Sequence, residues 1–313
     1  MRLNRFMKFS WFVLAYNMGV ILWGAYVRAT GSGAGCGSHW PLCNGVVIPR
    51  TPQLETIIEF IHRLTSGFAL ILVLILLVWA YRKYPKGHII RKGALLSMIF
   101  IITEALVGAG LVIFEWVAGD MSSGRVISIS LHLINTFILL ACLTLTSWWA
   151  STNTAVSIKN RNLLIVIYSI GFIGIILIGI SGAVTALGDT LFRSESLMEG
   201  IRVDFSPSAH FLVRLRVWHP ILAVIVGFYL MSIGLLLRMF YEELWIKRFS
   251  LILIFIVVLQ LLAGLLNLLL LAPVWMQIVH LFFADLLWIL FVLLFAISFQ
   301  GKALTSKNIA LDN

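Results

Sequence analysis

Eight long apolar stretches decide what this chain can become. They cover roughly residues 10–29, 57–80, 93–114, 127–149, 162–186, 210–237, 249–271 and 274–299, and each reaches the ~20 residues a helix needs to cross the hydrocarbon core of a bilayer. In that solvent each backbone N–H and C=O must be satisfied inside its own segment, so each stretch is predicted to be one helix. Composition agrees: 61% of the 313 residues are hydrophobic and 12% are charged, and a mean hydropathy of +1.02 lies far outside the range of a soluble domain. The expected fold is an all-α polytopic membrane protein with eight transmembrane helices, an even number that puts both termini on one side.

Lysine and arginine give the orientation. Arg2, Arg5 and Lys8 precede or open the first stretch; Arg82, Lys83, Lys86, Arg91 and Lys92 follow the second; Lys159, Arg161, Arg238, Lys247, Arg248, Lys302 and Lys307 lie in later loops of that side and in the tail. These ends are assigned to the cytoplasm. Glu115, Asp120, Asp189, Glu195, Glu199 and Asp204 collect in the opposite loops, so the formal net charge of +10 reflects topology and argues against a nucleic-acid partner. No Arg-rich, Ser-rich transit peptide opens the chain, and the first stretch keeps Asn17 and Trp23 inside it. It is read as a retained helix, and the expected address is a prokaryotic plasma membrane.

Sliding the sequence on itself by about 157 residues aligns Gly24-Ala25 with Gly182-Ala183 and His62 with His219, and brings Leu106-Val107-Gly108 close to Leu262-Ala263-Gly264. The offset falls to about 148 for His132 and His280, as extra residues around 115–125 would explain. Such self-similarity points to duplicated bundles, and four helices per half make the repeats parallel. Residues 1–150 are expected to form an amino-terminal four-helix bundle and residues 151–313 a carboxy-terminal one.

The four histidines sit near the starts of the second, fourth, sixth and eighth stretches. With this topology all four helices enter from the outer face, and each imidazole falls about five to nine residues inside, so the four form one layer toward that face. Ionisable side chains in a membrane usually face the bundle interior, where imidazoles on facing helices can hold a flat macrocycle. The pairs His62 with His132 and His219 with His280 suit haem iron: two imidazoles favour electron transfer, and an opened position favours chemistry. Other metals are disfavoured, because no H-x-x-x-H or C-x-x-C cluster could close a tetrahedral site. A single histidine in such a helix is as often a hydrogen-bonding core residue, a reading that four at matching depth and repeat position make poor. His39, His88 and His210 are loop or boundary residues and receive no role.

The neighbours of the histidines differ between halves. Glu59 stands three residues before His62, and Arg216 three before His219, on the same helix faces. A carboxylate near a haem edge can move protons or stabilise positive charge, whereas a guanidinium suits a propionate. The amino-terminal pocket is therefore assigned to chemistry and the carboxy-terminal one to a resident haem; the plainer alternative for Glu59 is an interfacial ion pair with Arg63 or Arg28. Glu104, near the middle of the third stretch, has Gln260 at the corresponding place in the seventh; it is expected to be protonated and hydrogen-bonded to a neighbouring helix, with a proton-relay role open, and Asp285 is left unassigned. Cys36 and Cys43 fall in Gly35-Cys-Gly-Ser-His-Trp-Pro-Leu-Cys-Asn-Gly45, in an oxidising compartment and among turn-forming residues, and a disulfide is expected. Whether it is a structural clip or an electron-exchanging thiol pair is open at this point.

Taken together, these motifs resemble the haem A synthase family over nearly the whole length. The resemblance is carried by Gly24-Ala-Tyr-Val-Arg-Ala-Thr-Gly-Ser-Gly33 with the cysteine loop, Glu59-Phe-Ile-His-Arg63, His132-Leu-Ile-Asn-Thr136, Arg214-Leu-Arg-Val-Trp-His-Pro220, and Asn267 through Pro273-Val-Trp275 to His280. It implies oxidation of the C8 methyl of haem O to a formyl group by successive hydroxylation, giving haem A for terminal oxidases. It also implies that His219 and His280 ligate a haem b relaying electrons, that His62 and His132 flank the substrate haem O, and that Glu59 stabilises a cationic intermediate or takes protons. Expected partners are haem O, haem O synthase and terminal oxidase assembly factors, with a homo-oligomer left open. The loop after the fifth stretch departs from some members, having no second cysteine pair. The rival readings are a bis-histidine di-haem b electron-transfer protein without substrate chemistry, a repeat-built transporter whose histidines serve protons or ions, and a structural subunit.

Overall fold

The computed structural model describes residues 4–50, 52–152, 154–156 and 161–303, leaving Arg2, Lys159 and Lys307 outside the described residues. Its helices are α1 (Arg5–Ala29), α2 (Leu54–Lys83), α3 (Ile89–Ile113), α4 (Ser123–Thr152), α5 (Asn162–Leu191), α6 (Leu197–Asp204), α7 (Phe211–Leu215), α8 (Trp218–Phe240), α9 (Leu244–Leu269) and α10 (Val274–Ser298). Among the described residues eight spans are long and apolar enough to cross a membrane, with α7 and α8 forming one of them. The protein is a multi-pass membrane protein of the all-α class, its spans built from helices.

Most helices run beyond the apolar stretches, because their charged ends find partners that keep the head group at the interface. Lys83 in the last turn of α2 lies 5.5 Å from the Phe6 ring and 5.4 Å from Tyr84, and Arg91 in the first turn of α3 lies 3.9 Å from Tyr81. Basic residues closing α2 also complement the negative end of its dipole.

The sixth span differs from its expected form. It is interrupted at Arg216 and Val217, just before His219. Pro220 has no N–H to give to the Arg216 carbonyl, and its ring crowds that carbonyl; His219 N–H donates to Arg216 O instead, at 3.3 Å, in a tighter turn. α2 has Arg63 where α8 has Pro220 and runs unbroken through His62. A second addition is α6, in the stretch read as loop. Ser196 caps it by accepting from Glu199 N–H, while Glu199 accepts from Glu195 N–H, a variant of the Ser-x-x-Glu capping box.

Helix neighbours run in two circuits. α1 packs on α2 and α4, and α3 on α2 and α4; likewise α8 packs on α5 and α9, and α10 on α9 and α5. α4 and α10 form the main seam between them, joined by α1 against α10 and α4 against α5. At the seam the Trp288 ring stacks on Phe137 at 4.7 Å and its indole N–H donates to Phe137 O at 2.7 Å, so the polar edge of a buried aromatic is satisfied. Gly179 lets α5 approach that seam, since a Cβ there would come within 2.8 Å of Leu133 and Phe137. At the other end, a short antiparallel pair, β1 (Thr154–Val156) with β2 (Gln300–Ala303), ties the chain after α4 to the chain after α10.

Candidate functional site

The four histidines lie within the first three turns of the even-numbered spans, all at the end of the molecule that carries the cysteine loop and α6. Each ring rests on a glycine of the preceding span. A Cβ would lie 3.0 Å from His62 Cε1 if placed on Gly24, 3.9 Å from His132 Cε1 on Gly108, 2.9 Å from His219 Cε1 on Gly182, and 3.1 Å from His280 Cε1 on Gly264. The sequence aligned these glycines with one another; that each seats an imidazole is visible only once the helices are packed.

The polar surroundings of the rings differ. His219 Nδ1 is 3.1 Å from Ser181 Oγ, and His280 Nε2 is 3.4 Å from Gln260 Nε2. His132 Nδ1 is 3.2 Å from a Glu104 carboxylate oxygen, and that carboxylate accepts from Thr136 and from Asn135 on α4, the neighbouring helix. His62 lies in electrostatic range of His132, Glu104 and Arg63. The Nδ1 atoms of His62, His132 and His280 are all buried without a well-formed hydrogen bond, and among the described residues only that of His132 has a carboxylate oxygen within 4 Å.

These observations fit haem. The His219 and His280 rings are perpendicular with centroids 6.2 Å apart, a spacing that admits one metal ion about 2 Å from a nitrogen of each. Glycine seats keep Cβ atoms out of the space beside the His62, His219 and His280 rings, while Gly108 meets His132 at ordinary contact distance, and His132 and Glu104 keep 30% and 19% of their side-chain surface accessible. Among the described residues no group of three or more His, Cys, Asp and Glu could hold a metal ion by itself, whereas haem iron, already held by its macrocycle, needs only the two axial imidazoles.

Glu59 is buried, and both its oxygens are engaged. Oε2 accepts from the Cys36 N–H at 2.7 Å, and Oε1 accepts the Arg63 guanidinium, one turn further along α2. Arg63 also donates to the carbonyls of His39 and Leu42. Cys36 and Cys43 are disulfide-bonded, and Thr56 Oγ1 donates to Gly35 O at 2.7 Å. The cysteine loop is thus pinned onto the first turns of α2 through Thr56, Glu59 and Arg63. At Gly35 the backbones nearly touch: a Cβ would stand 2.5 Å from Glu55 C and O and 2.6 Å from Thr56 N. Replacing Gly35 with alanine should therefore lift the loop, with a loss of about 1–3 kcal/mol, read as faster proteolysis or thiol labelling of the loop under mild reductant; unchanged rates in G35A would contradict this docking.

Arg216 is buried between two carboxylates. Its Nε and Nη2 lie 3.0 and 2.7 Å from Asp204, and Nη1 is 3.0 Å from Asp189 and 3.2 Å from Phe192 O. It fastens the segment that contains α6 to the end of α5. Burial pushes the Asp204 carboxyl above its usual range, and the Arg216 guanidinium opposes that. On α1, Arg28 donates to Gln277 Oε1 of α10 at 3.2 Å across the seam, and its Nη1 has no partner among the described residues.

The sequence model of the COX15-CtaA family, described as cytochrome oxidase assembly proteins, matches residues 7–292. The chain belongs to this family. A Thermus thermophilus relative of the COX15-CtaA chain, named Protoheme IX farnesyltransferase, is 50% identical over 291 residues, which are 93% of this chain and 48% of that protein. A Heme A synthase of Bacillus mycoides is 40% identical over 144 residues, 45% of each chain, and one of Halalkalibacterium halodurans is 48% identical over 95 residues, 30% of this chain and 32% of that one. The chain spans about half the length of the Thermus relative. Site residues of this COX15-CtaA member that sequence reasoning left aside are Ser181 and Gln277, whose contacts cross helices and leave no periodic trace; the Glu59–Arg63 ion pair weighed from sequence is present.

Proposed function

We propose that this chain is a haem A synthase, a membrane oxidoreductase that converts the C8 methyl of haem O to a formyl group through the alcohol, for use in terminal oxidases. The observation that carries the reading is the layer of four histidines, each on its own glycine seat, in a chain of the COX15-CtaA family. Matching His and Gly positions support reading residues 1–150 and 151–313 as two parallel four-helix repeats, the first for substrate haem O and the second for haem b.

In the carboxy-terminal half His219 and His280 would hold haem b by its iron. Bound there, haem b supplies a one-electron relay, as saturated bis-imidazole ligation favours. Ser181 orients the His219 ring through Nδ1. In the amino-terminal half His62 and His132 would flank the substrate, and Glu59 would serve as its proton-handling or charge-stabilising group. Arg63 and the Cys36 amide keep that carboxylate in place against the docked disulfide loop. Arg216 was assigned to a haem propionate from sequence; with Asp189, Asp204 and Phe192 O already on it, its support for cofactor binding is indirect, through the loop it fastens.

The farnesyltransferase name belongs to a protein about twice as long as the matched segment. Prenyl transfer from a diphosphate calls for Mg2+ held by carboxylates, and among the described residues no such cluster exists. That relative instead supports haem O synthase as a partner, and the family description supports terminal oxidase assembly factors. Exposed Leu, Ile and Phe side chains along the spans suit a farnesyl tail that stays in lipid. The disulfide beside the histidine layer supports placing that end outside a prokaryotic plasma membrane, with both termini cytoplasmic. The test is expression in cells that make haem O but no haem A. Membrane extracts should gain the alcohol and formyl haems by chromatography and mass; unchanged haem O would reject the enzyme and favour the di-haem b electron-transfer reading.

A further inference from the structure

Glu104-x-x-x-Gly108 and Gln260-x-x-x-Gly264 stand at corresponding places in α3 and α9, one helical turn from glycines that seat histidines. What they offer those histidines is different. Asn135 Nδ2 donates to Phe100 O at 2.8 Å, and since a carbonyl only accepts, the orientation of this amide is fixed. The same NH2 reaches Glu104 Oε2, and the Thr103 hydroxyl meets Asn135 Oδ1. Thr136, whose hydroxyl also lies 2.9 Å from His132 O, donates to Glu104 Oε1. The carboxylate is held on both oxygens and presents Oε1 3.2 Å from His132 Nδ1. Gln260 has only its Nε2 at 3.4 Å from His280 Nε2; its Oε1 and His280 Nδ1 have no partner.

We propose that Glu104 is a positioning residue that holds His132 by Nδ1 and presents its Nε2 to haem iron, while Gln260 gives His280 no such hold, so that the two halves offer iron unequal imidazoles. The inference rests on the haem reading above. A carboxylate facing Nδ1 selects the tautomer with the proton there and strengthens Nε2 as a donor, the arrangement that orients histidine ligands in metal sites generally. His62 Nδ1, like that of His132, lacks a well-formed hydrogen bond, but among the described residues no carboxylate stands beside it as Glu104 stands beside His132. Of the amino-terminal pair, His132 is the ligand that stays and His62 the one that can open a position beside the substrate.

Two readouts test this and separate it from the haem reading. In the haem-free protein, 15N-histidine magnetic resonance should show His132, assigned by its loss in His132→Asn, as a single tautomer protonated at Nδ1. In Glu104→Gln that resonance should give way to a tautomer mixture, and in Gln260→Glu a second held histidine should appear, with thermal melting of both variants compared to show that the fold is kept. In the haem-loaded protein, Glu104→Gln should shift only the low-spin electron paramagnetic signal of the amino-terminal haem, and Gln260→Glu only the other. An unchanged His132 tautomer in Glu104→Gln, or a shift of both haem signals together, would overturn the proposal. The tautomer result without any haem in the amino-terminal half would instead reject the haem reading and leave this assignment standing.

Discussion

Replacing Glu59 with alanine or glutamine should lower conversion of haem O by about 100-fold or more, the usual contribution of a positioned proton-transfer group, while the haem b spectrum of the carboxy-terminal half is retained. The pair of variants is needed because Glu59, beyond its proposed proton-handling role, ties down the cysteine loop. Its oxygens hold the Cys36 N–H and Arg63, and Arg63 holds the His39 and Leu42 carbonyls, so alanine also unpairs a largely buried guanidinium. Removing one partner of a buried pair costs about 3–5 kcal/mol, less here because Arg63 keeps its two carbonyls and 12% of its surface accessible. Glutamine retains an acceptor for the Cys36 amide and loses the charge. If Glu59→Gln folds with its disulfide intact and still makes the formyl product at the normal rate, Glu59 is a structural tie of the cysteine loop and the chemical role falls.

A second large effect is expected at the glycine seats. His219→Ala and His280→Ala should each remove haem b altogether. Gly182→Leu should do the same without touching a ligand, because even a Cβ there would come within 2.9 Å of His219 Cε1 and a longer side chain must displace the ring. Gly24→Leu, its counterpart 3.0 Å from His62, should leave haem b in place and stop substrate conversion. Loss of bound haem should also lower the melting temperature of the His219 variant, since a ligand that binds only the folded state stabilises by about 2.7 kcal/mol at a concentration 100 times its dissociation constant. Retention of full haem b in Gly182→Leu would show that the glycine merely packs helices.

How far the sequence could be read follows from which forces leave a periodic mark. Spans were legible because the bilayer imposes a length and a polarity on each, and the histidine layer because it repeats with its glycines. The ends of the helices were less so: Lys83 and Arg91 extend their helices by lying over Phe6, Tyr84 and Tyr81, contacts set by neighbours rather than by hydropathy. The break before His219 was written in Pro220, and α6 in Ser196 and Glu199, both short-range signals that the apolar pattern drowned. Arg216 marks the limit. Its place three residues before a histidine suggested a propionate, but Asp204 and Asp189 stand 12 and 27 residues away at the ends of α6 and α5, and only the folded chain brings both onto its guanidinium. Glu104 shows the reverse case: the expected partner on a neighbouring helix exists in Asn135 and Thr136, and the contact with His132 follows from the same turn of α4.

The most direct measurement is the haem content of the protein itself. The chain is purified in detergent from cells that also make haem O, its haems are extracted with acidified acetone, and they are identified by chromatography and mass. The account predicts haem B together with haem O or its hydroxylated and formyl products, with haem B lost in His219→Ala and retained in Glu59→Gln. Haem B alone in two equivalents, or no haem at all, would contradict it.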